Sequence, residues 1–227
     1  MFIGKFGGGK TISAVRRAYN ICKTHKGVTV LTNLTLYGFP EDTKIIKLVN
    51  SSQILELPDK SIVLIDEIGS IFNSRDFASS KKSVPKPVYQ LILQCRHRRI
   101  ILLGTVQRWN LLDKQLRDIA DTLTVCHSYF ADPFARYTTC AEYDAQEYDK
   151  WFNNPLLPLR QLMYYSYVQT DELRSKYDTI EMVDSMLDKE YISDEEILAN
   201  RAGTGFAPDL VGDKKTQRRL GREVKKR

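Results

Sequence analysis

The sequence predicts an α/β fold in which helices flank a mostly parallel central sheet. Segments with the composition of strands alternate with segments of helical periodicity, which is typical of βαβ units. Two predicted strands, residues 62–65 and 100–103, are apolar at every position. Strands of a parallel sheet have this composition because helices cover both faces. A glycine-rich loop, Gly4–Thr11, joins the first strand to the first helix, as in phosphate-binding βα turns.

The amino-terminal region contains the first two strands and the first helix. Met1–Ile3 predicts a very short strand, and a helix is expected to begin at Thr11. Gly27 suits the end of this helix, and the β-branched segment Val28–Leu31 predicts the next strand. Further on the pattern is looser, and we expect one short helix at about Thr43–Val49. The apolar positions of the first helix recur at helical spacing and are Ile12, Val15, Tyr19 and Cys22.

The middle of the chain contains the two apolar strands. Ser61–Ile65 predicts a buried strand, and residues 99–105 predict another. Residues 73–87 include serines, lysines and two prolines, with little apolar content, which predicts a mobile loop. Helical periodicity returns over residues 88–98. The two strands are therefore expected to be joined by a loop and a helix.

The last predicted elements are a helix and a hairpin. Asn110 is expected to cap a helix that runs to Ala120. Thr122–Tyr129 predicts a strand, and residues 136–143 are expected to pair back with it as a C-terminal hairpin.

Periodicity weakens after residue 149, so we divide the chain into three parts. Residues 1–149 are expected to form the P-loop core. Residues 150–202 are expected to form an irregular or helical extension, which contains Pro155 and Pro158. Residues 203–227 form a polar, basic tail that we expect to be flexible.

Composition excludes several classes of protein. The net charge is +6, but eight basic residues and one acid in Lys214–Arg227 contribute +7, which leaves −1 for the rest. No apolar run approaches the roughly 20 residues that span a bilayer. No signal peptide precedes the glycine-rich loop, so we expect a cytoplasmic protein. The four cysteines form no C-x-x-C or Cys/His cluster, which predicts buried, reduced thiols and no zinc site.

The most specific motif is a phosphate-binding loop. Its sequence, GKFGGGKT, fits the Walker A pattern G-x-x-x-x-G-K-[ST]. Lys10 is expected to reach the β- and γ-phosphates of ATP, and the Thr11 hydroxyl to bind Mg²⁺. The alternative is a glycine-rich loop that binds no nucleotide. The predicted nucleotide-binding residues are Gly4, Lys5, Phe6, Gly7, Gly8, Gly9, Lys10 and Thr11.

A Walker B segment follows at a suitable distance. The buried strand at residues 62–65 ends in Asp66 and Glu67, and it delivers them to the carboxyl edge of the sheet, where ligands bind. Asp66 is expected to hold Mg²⁺, mainly through water. Glu67 points in a different direction and is placed to polarise the attacking water. The alternative for Glu67 is a solvated carboxylate without a catalytic role.

Phosphoryl transfer also needs groups that position the γ-phosphate and neutralise its charge. Thr105 and Gln107 follow the second apolar strand. If that strand lies between the P-loop strand and the Walker B strand, Gln107 comes near the γ-phosphate as a sensor. The alternative is a glutamine in a solvent-facing loop.

A cationic group supplied by a neighbouring subunit is the remaining expected part. Arg75 follows the Walker B strand closely, and Arg117 lies on the helix after the sensor strand, so these two are the preferred candidates. The sequence does not choose between them and the other arginines of this region, which are Arg96, Arg98 and Arg108.

These motifs resemble those of the FtsK–HerA superfamily of DNA-pumping ATPases. The resemblance is greatest to its viral branch, which comprises genome-packaging ATPases of membrane-containing viruses and Zot-type assembly ATPases of filamentous phages. It covers roughly residues 1–145. The segments that carry it are Gly4–Thr11, Ile65–Glu67, Ile71–Arg75, Arg96–Arg98, Thr105–Gln107 and Leu112–Arg117.

The resemblance implies a RecA-like core of the ASCE class, a ring-shaped oligomer that is often a hexamer, and ATP-driven movement of DNA. The family counterpart of Glu67 activates water, that of Gln107 senses the γ-phosphate, and an arginine acts across the subunit interface. Zot-type proteins usually carry a transmembrane segment after the ATPase core. This chain has none, which favours a packaging motor in the host cytosol or the virion over a membrane-anchored extrusion factor.

The basic tail is a candidate nucleic-acid contact. Its cations recur at a spacing of three to four residues, so a helix would place them on one face, although Gly221 weakens any helix there. Such a face binds phosphate backbones with strong salt dependence. The alternatives are a solvated tail, or docking to an acidic partner such as a capsid, portal or membrane protein of a virus. The residues concerned are Lys215, Arg218, Arg219, Arg222 and Lys226.

The leading hypothesis is an ATP-hydrolysing DNA translocase that packages or transports a viral or mobile-element genome. A Zot-type assembly ATPase is the nearest alternative. A P-loop small-molecule kinase is a second class of enzyme, but Glu67 and the lack of an arginine-rich lid pattern disfavour it. A nucleotide-dependent switch without motor activity is a third class.

Overall fold

An eight-stranded sheet forms the centre of the described part of the chain. The structure, a computed structural model, describes residues 1–49, 51–54, 56–71, 95, 97–130 and 136–178. Its strands are Phe2–Ile3 (β1), Thr29–Thr32 (β2), Thr35–Leu36 (β3), Lys44–Lys47 (β4), Ile62–Ile65 (β5), Ile101–Val106 (β6), Thr122–Tyr129 (β7), Tyr137–Asp144 (β8), Gln161–Val168 (β9) and Tyr177–Asp178 (β10). Its α-helices are Lys10–Thr24 (α1), Ile68–Ile71 (α2), Lys114–Asp118 (α3), Ala145–Asn153 (α4) and Asp171–Arg174 (α5). Single 3₁₀ turns lie at Ser51–Ile54 and Trp109–Leu111.

The strands of the main sheet are ordered β4-β2-β5-β6-β1-β7-β8-β9. All pairs from β4 to β7 are parallel, whereas β7–β8 and β8–β9 are antiparallel. Strand β6 therefore separates β1, which leads into the P-loop, from the Walker B strand β5. This additional strand is what a RecA-like ASCE core requires, so the predicted fold class is confirmed. Strands β3 and β10 form a separate antiparallel pair.

The parallel strands bury apolar side chains on both faces of the sheet. Ile62 and Leu64 of β5 belong to one core together with Val15 of α1. The alternate residues Val63 and Ile65 belong to the core on the other face. The unbroken apolar composition of β5 therefore follows from its central position.

Most of the predicted elements of the core are confirmed. Helix α1 begins at Lys10, one residue before the predicted start, and Gly27 adopts a positive φ of 68° shortly after its end. Strand β7 has the predicted bounds, and β8 pairs back with it from Tyr137 onward. The four cysteines are buried and free, as predicted.

The short helix predicted at Thr43–Val49 is wrong, because Lys44–Lys47 forms the edge strand β4. It pairs in parallel with β2, and a bond from the Lys44 N–H to the Val28 carbonyl (3.1 Å) joins the starts of the two strands. The β-branched pair at its centre favours a strand, and four residues barely make one helical turn. A lysine at each end is typical of an edge strand that resists further pairing.

The expected cap at Asn110 is also wrong. Asn110 lies within the 3₁₀ turn Trp109–Leu111, and Asp113 caps helix α3 by accepting a hydrogen bond from the Gln115 N–H (2.8 Å). The turn forms here because the Trp109 side chain is buried in the core, which fixes the backbone before the helix can begin.

The sheet continues beyond the predicted hairpin. Helix α4, capped by Asp144, and strand β9 follow β8, and β9 pairs antiparallel with β8. The sequence analysis predicted neither element. It missed β9 because apolar side chains lie on its exposed face as well, among them Leu162 and Tyr164, so the alternation of a strand is hidden. The division of the chain after residue 149 stays a prediction, and the described residues belong to one compact unit, Met1–Asp184.

Several predictions fall on other parts of the chain. The loop at residues 73–87, nearly all of the helix at residues 88–98 and the tail from residue 203 lie outside the described residues. Within the described ranges, no helix is long and apolar enough to cross a membrane.

Candidate nucleotide-binding and hydrolysis site

The P-loop lies between β1 and α1 and packs closely on strand β7. A Cβ on Gly4 would lie 2.4 Å from the carbonyl oxygen of Cys126, which is too close for any side chain. Gly9 caps α1 with a φ of 83°, and a Cβ there would lie 2.6 Å from the Ser128 hydroxyl. Glycine is required at both positions, so the spacing of the motif has a packing cause as well as a phosphate-binding one.

The other P-loop residues occupy the predicted loop. Lys10 is buried, and its Nζ donates to the Lys5 carbonyl (3.2 Å), while the Gly8 N–H donates to the same carbonyl (2.9 Å). The ammonium group is thus held by the loop that would surround a phosphate. Phe6, at the tip of the loop, is 93% exposed.

Two hydroxyls converge on the Walker B aspartate. Thr11 Oγ1 donates to Asp66 Oδ1 (2.8 Å), and Thr105 Oγ1 donates to the same oxygen (2.6 Å). Asp66 and Thr105 are buried, so the bond between them is shielded from water, while the bond from Thr11 is partly buried. The donor set fits Mg²⁺, which prefers a carboxylate and a hydroxyl oxygen together with phosphate oxygens and water.

Glu67 lies beside this cluster with an unusual backbone conformation. Its φ is 48°, which is rare for a residue with a side chain and separates its direction from that of Asp66. Its N–H donates to Thr105 Oγ1 (2.9 Å), and its Oε1 accepts a bond from Gln107 Nε2 (3.4 Å). Burial raises the pKa of Glu67, while nearby Lys10 and the bond from Gln107 act in the opposite direction. A carboxylate with a raised pKa is a stronger base.

Strand β6 brings Thr105 and the predicted sensor Gln107 to this site. Thr105 is buried at the carboxyl end of β6, and Gln107 follows directly. Strand β6 lies between the P-loop strand and the Walker B strand, which meets the condition on which Gln107 was expected at the site. As a result, Gln107 contacts Glu67.

The sequence analysis did not identify Asn33 as a site residue. Its side chain accepts a bond from the Asp66 N–H (2.8 Å) and donates to the Asp66 carbonyl (3.0 Å). The amide thereby extends the pairing of β2 with β5 by one step and fixes the Asp66 peptide. The sequence offered one signal for this role, an asparagine that directly follows β2, the strand next to the Walker B strand.

The two preferred arginines are placed differently. Arg117 is mostly buried and bonds Asp149 (2.5 Å), which also accepts from Trp109 Nε1 (2.7 Å). Its guanidinium lies 6.0 Å from the Trp109 ring. The role of Arg117 across a subunit interface stays a prediction, and Arg75 lies outside the described residues, as do the five tail cations.

The curated relatives of the chain are phage proteins. No protein-family model matches it. The "Gene 1 protein" of Salmonella phage IKe is 28% identical over 142 residues, a match that covers 54% of this chain and 38% of that protein. The "Gene 1 protein" of Enterobacteria phage I2-2 matches with the same identity and coverage. This chain thus spans 38% of the length of the curated relatives it matches.

Solved structures with a similar fold are distant in sequence. The N-terminal domain of zonular occludens toxin from Neisseria meningitidis has a TM-score of 0.47 and 18% identity, covering 78% of this chain and 97% of that one. The genome packaging NTPase B204 from Sulfolobus turreted icosahedral virus 2, in complex with ATP-gammaS, has a TM-score of 0.45 and 14% identity, covering 64% and 90%. The phage origin of the curated relatives agrees with the viral resemblance drawn from the motifs.

Proposed function

We propose that this chain is a magnesium-dependent ATPase that moves viral or mobile-element DNA as one subunit of a ring. One observation carries the ATPase part of this proposal. The Thr11 hydroxyl of the P-loop and the Thr105 hydroxyl of β6 both donate to one oxygen of Asp66, and Glu67 lies alongside. A loop that bound no nucleotide would not need this convergence of four polar groups.

Nucleotide binding follows from the P-loop. The N–H groups at the start of α1 would bind phosphate oxygens, helped by the dipole of a 15-residue helix. Lys10 would exchange the Lys5 carbonyl for the β- and γ-phosphates. Mg²⁺ would neutralise charge between these phosphates, and Thr11 and Asp66 are the residues that would hold it.

Hydrolysis requires an oriented water molecule. Glu67 would take up or polarise a proton of that water, and its raised pKa suits a general base. Gln107, which now donates to Glu67, would contact the γ-phosphate and report its presence. An arginine from a neighbouring subunit, Arg75 or Arg117, would neutralise the charge that develops in the transition state.

The DNA-moving part of the proposal has different support. It is based on the resemblance of the motifs to DNA-pumping ATPases and on the phage origin of the curated relatives. This DNA-moving part of the proposal includes a hexameric ring, contact of the basic tail with DNA, and activity in the host cytosol or on the virion. The +7 charge of the tail supports binding to a phosphate backbone.

A second candidate is a Zot-type ATPase that assembles and extrudes a phage. The specific observation in its favour is the similarity to the two phage proteins, of which this chain spans 38%. A capsid, portal or membrane protein of the virus would then be a further partner.

An ATPase assay with and without double- and single-stranded DNA tests the proposal. We expect Mg²⁺-dependent turnover that DNA stimulates, with loss of turnover in Lys10→Ala and Glu67→Gln. Glu67→Gln should still bind ATP, because the P-loop is untouched. Robust turnover in Glu67→Gln would remove Glu67 from the mechanism.

Sizing with a non-hydrolysable ATP analogue, run alongside, separates the classes. A ring with DNA-stimulated turnover supports a motor, whereas transfer of phosphate to a small acceptor would indicate a kinase. Nucleotide-dependent binding without DNA-stimulated turnover would indicate a switch.

A further inference from the structure

We propose that Tyr167 and Gln169, at the end of strand β9, are positioning residues that fix Gly9 in the P-loop and thereby set the affinity for phosphate. The inference deepens the proposed function, since it depends on nucleotide binding by the P-loop. It involves a strand that lies more than 150 residues from the loop in sequence, as the separation of 154 between Ser13 and Tyr167 shows.

The first connection runs from Tyr167 to the Gly9 carbonyl. Ser13 Oγ donates to Gly9 O (2.6 Å) and lies 2.7 Å from the Tyr167 hydroxyl. A serine hydroxyl has one proton, so Tyr167 is the donor to Ser13. Burial raises the pKa of Tyr167, which keeps that proton on the phenol. The Arg16 guanidinium lies 4.6 Å from the Tyr167 ring and holds it against α1.

The second connection runs from Gln169 to the other side of Gly9. Gln169 Nε2 donates to Thr138 Oγ1 (2.8 Å) and to Ser128 Oγ (3.1 Å), and these two hydroxyls lie 2.9 Å apart. A Cβ on Gly9 would lie 2.6 Å from Ser128 Oγ and 3.0 Å from Thr138 Cγ2, so these two side chains fill the space beside the glycine. Gln169 and Thr138 are buried, and the bond between them is buried too, while Ser128 is partly exposed.

Gly9 is the residue through which both connections would affect phosphate binding. It is the N-cap of α1, and its carbonyl accepts the first helical bond, from the Ser13 N–H (3.0 Å). Its positive φ of 83° sets the direction of the chain into α1, and we expect the N–H groups that follow, which include that of Lys10, to face a bound phosphate. A small rotation of Gly9 would redirect these donors, so groups that fix Gly9 also fix the phosphate site.

Strand β9 gives this arrangement a further property. It is the last strand of the described sheet, so its outer edge is not paired within the described residues. Contact with that edge would move Tyr167 and Gln169 together, because both lie at its carboxyl end. The P-loop is therefore connected to the edge of the sheet by four hydrogen bonds and by the Ser128 and Thr138 side chains that fill the space beside Gly9.

The competing explanation is that the network only stabilises the fold. The two explanations differ in what happens to phosphate affinity in a protein that remains folded. A purely structural network would lower the unfolding temperature but leave the affinity of the folded protein unchanged. A positioning network would lower the affinity for any ligand held by its phosphates.

The test uses the full chain and two probes, a non-hydrolysable ATP analogue with Mg²⁺ and tripolyphosphate with Mg²⁺. Calorimetric titration gives both dissociation constants for the wild type, Tyr167→Phe and Gln169→Leu, well below the unfolding temperature. Tyr164→Phe is the matched control, since it makes the same change on the same strand at a side chain that is 60% exposed. Ser13→Ala and the double variant that combines it with Tyr167→Phe complete a double-mutant cycle.

We expect Tyr167→Phe to raise the dissociation constants of both probes about threefold to tenfold, and Gln169→Leu to raise them about tenfold. These factors correspond to the loss of one or two hydrogen bonds. The two probes should weaken by the same factor, because the base and ribose do not touch this network. The dissociation constants of the Tyr164→Phe control should stay within about twofold of those of the wild type. The double variant should bind no more weakly than Ser13→Ala, because Tyr167 acts through Ser13.

Unchanged affinity in folded Tyr167→Phe and Gln169→Leu would overturn the inference, as would additive losses in the double variant. Failure of both variants to fold would also overturn it, in favour of a structural role. If the wild type binds both probes but hydrolyses no ATP, the proposed ATPase fails while the inference stands. If the wild type binds neither probe, both fail.

Discussion

Replacement of Thr105 by valine isolates the hydroxyl that connects the two Walker B acids. The Thr105 hydroxyl donates to Asp66 Oδ1 (2.6 Å) and accepts from the Glu67 N–H (2.9 Å), and the residue is 0% exposed. Valine has nearly the same shape, so the change removes these two bonds and little else. The Asp66 carboxylate loses a short bond, and the Glu67 N–H loses its bond to the Thr105 hydroxyl.

The magnitude follows from these two losses. The bond to the charged Asp66 carboxylate contributes about 1.5–3 kcal/mol, and the bond from the Glu67 N–H about 0.5–1.5 kcal/mol. Because some relaxation will occur, we expect a loss of about 3 kcal/mol in the free energy of unfolding. At about 2–4 °C per kcal/mol for a chain of this size, the Tm should fall by about 6–12 °C.

Thr124→Val is a closely matched control. Thr124 is also 0% exposed, and it lies in the same layer of the sheet, since Phe2 pairs with Thr105 on one side and with Thr124 on the other. The Thr124 hydroxyl, however, is buried without a hydrogen-bond partner among the described residues. Its removal should leave stability unchanged or raise it by about 1 kcal/mol.

Urea unfolding of the two variants, followed by circular dichroism, makes the comparison. Thr105→Val should unfold at a clearly lower urea concentration than Thr124→Val, and its ATPase turnover should fall as Asp66 and Glu67 lose their common support. Equal midpoints would refute the reasoning, because they would show that the two bonds contribute nothing beyond a buried methyl group.

Three further outcomes follow from the site. Asn33→Ala should lower kcat more than it raises the KM for ATP, because it releases the Asp66 peptide without touching the P-loop; a change confined to KM would contradict this. Burial raises the pKa of Glu67. As the pH falls, Glu67 should therefore be protonated at a higher pH than an ordinary glutamate, whose pKa is about 4.3. Turnover at saturating ATP should therefore rise with pH through that raised value, and an acid limb at or below about pH 4.3 would count against Glu67 as the base. Removal of residues 214–227 should weaken DNA binding and flatten its salt dependence in a filter-binding series, and an unchanged salt slope would exclude the tail as the contact.

The sequence predicted the parts of the site that depend on local backbone. The P-loop, Asp66 and Glu67 lie where a strand meets a loop or helix, so their positions follow from the motif and from the edge of the sheet. Gln107 was expected at the site on the condition that the strand before it lies between the P-loop strand and the Walker B strand; β6 lies there, and Gln107 contacts Glu67.

The residues that were missed depend on contacts between distant segments. Asn33 meets Asp66 across 33 residues, and Tyr167 meets Ser13 across 154. No periodicity within either segment signals such a contact. The helix expected at Thr43–Val49 was wrong for a partly local reason, because its two central isoleucines favour a strand and the segment pairs with β2.

The continuation of the sheet through β9 has a practical consequence for truncated versions of the protein. A fragment that stopped at residue 149 would keep every Walker residue but would make β8 the edge of the sheet. It would uncover Thr138 and Cys140, both 0% exposed in the intact sheet, and would lose the strand that pairs with them. Such a fragment is expected to aggregate through its new edge. The shortest useful fragment therefore extends past Gln169, and a failure of shorter pieces to bind ATP would reveal little about the motifs they retain.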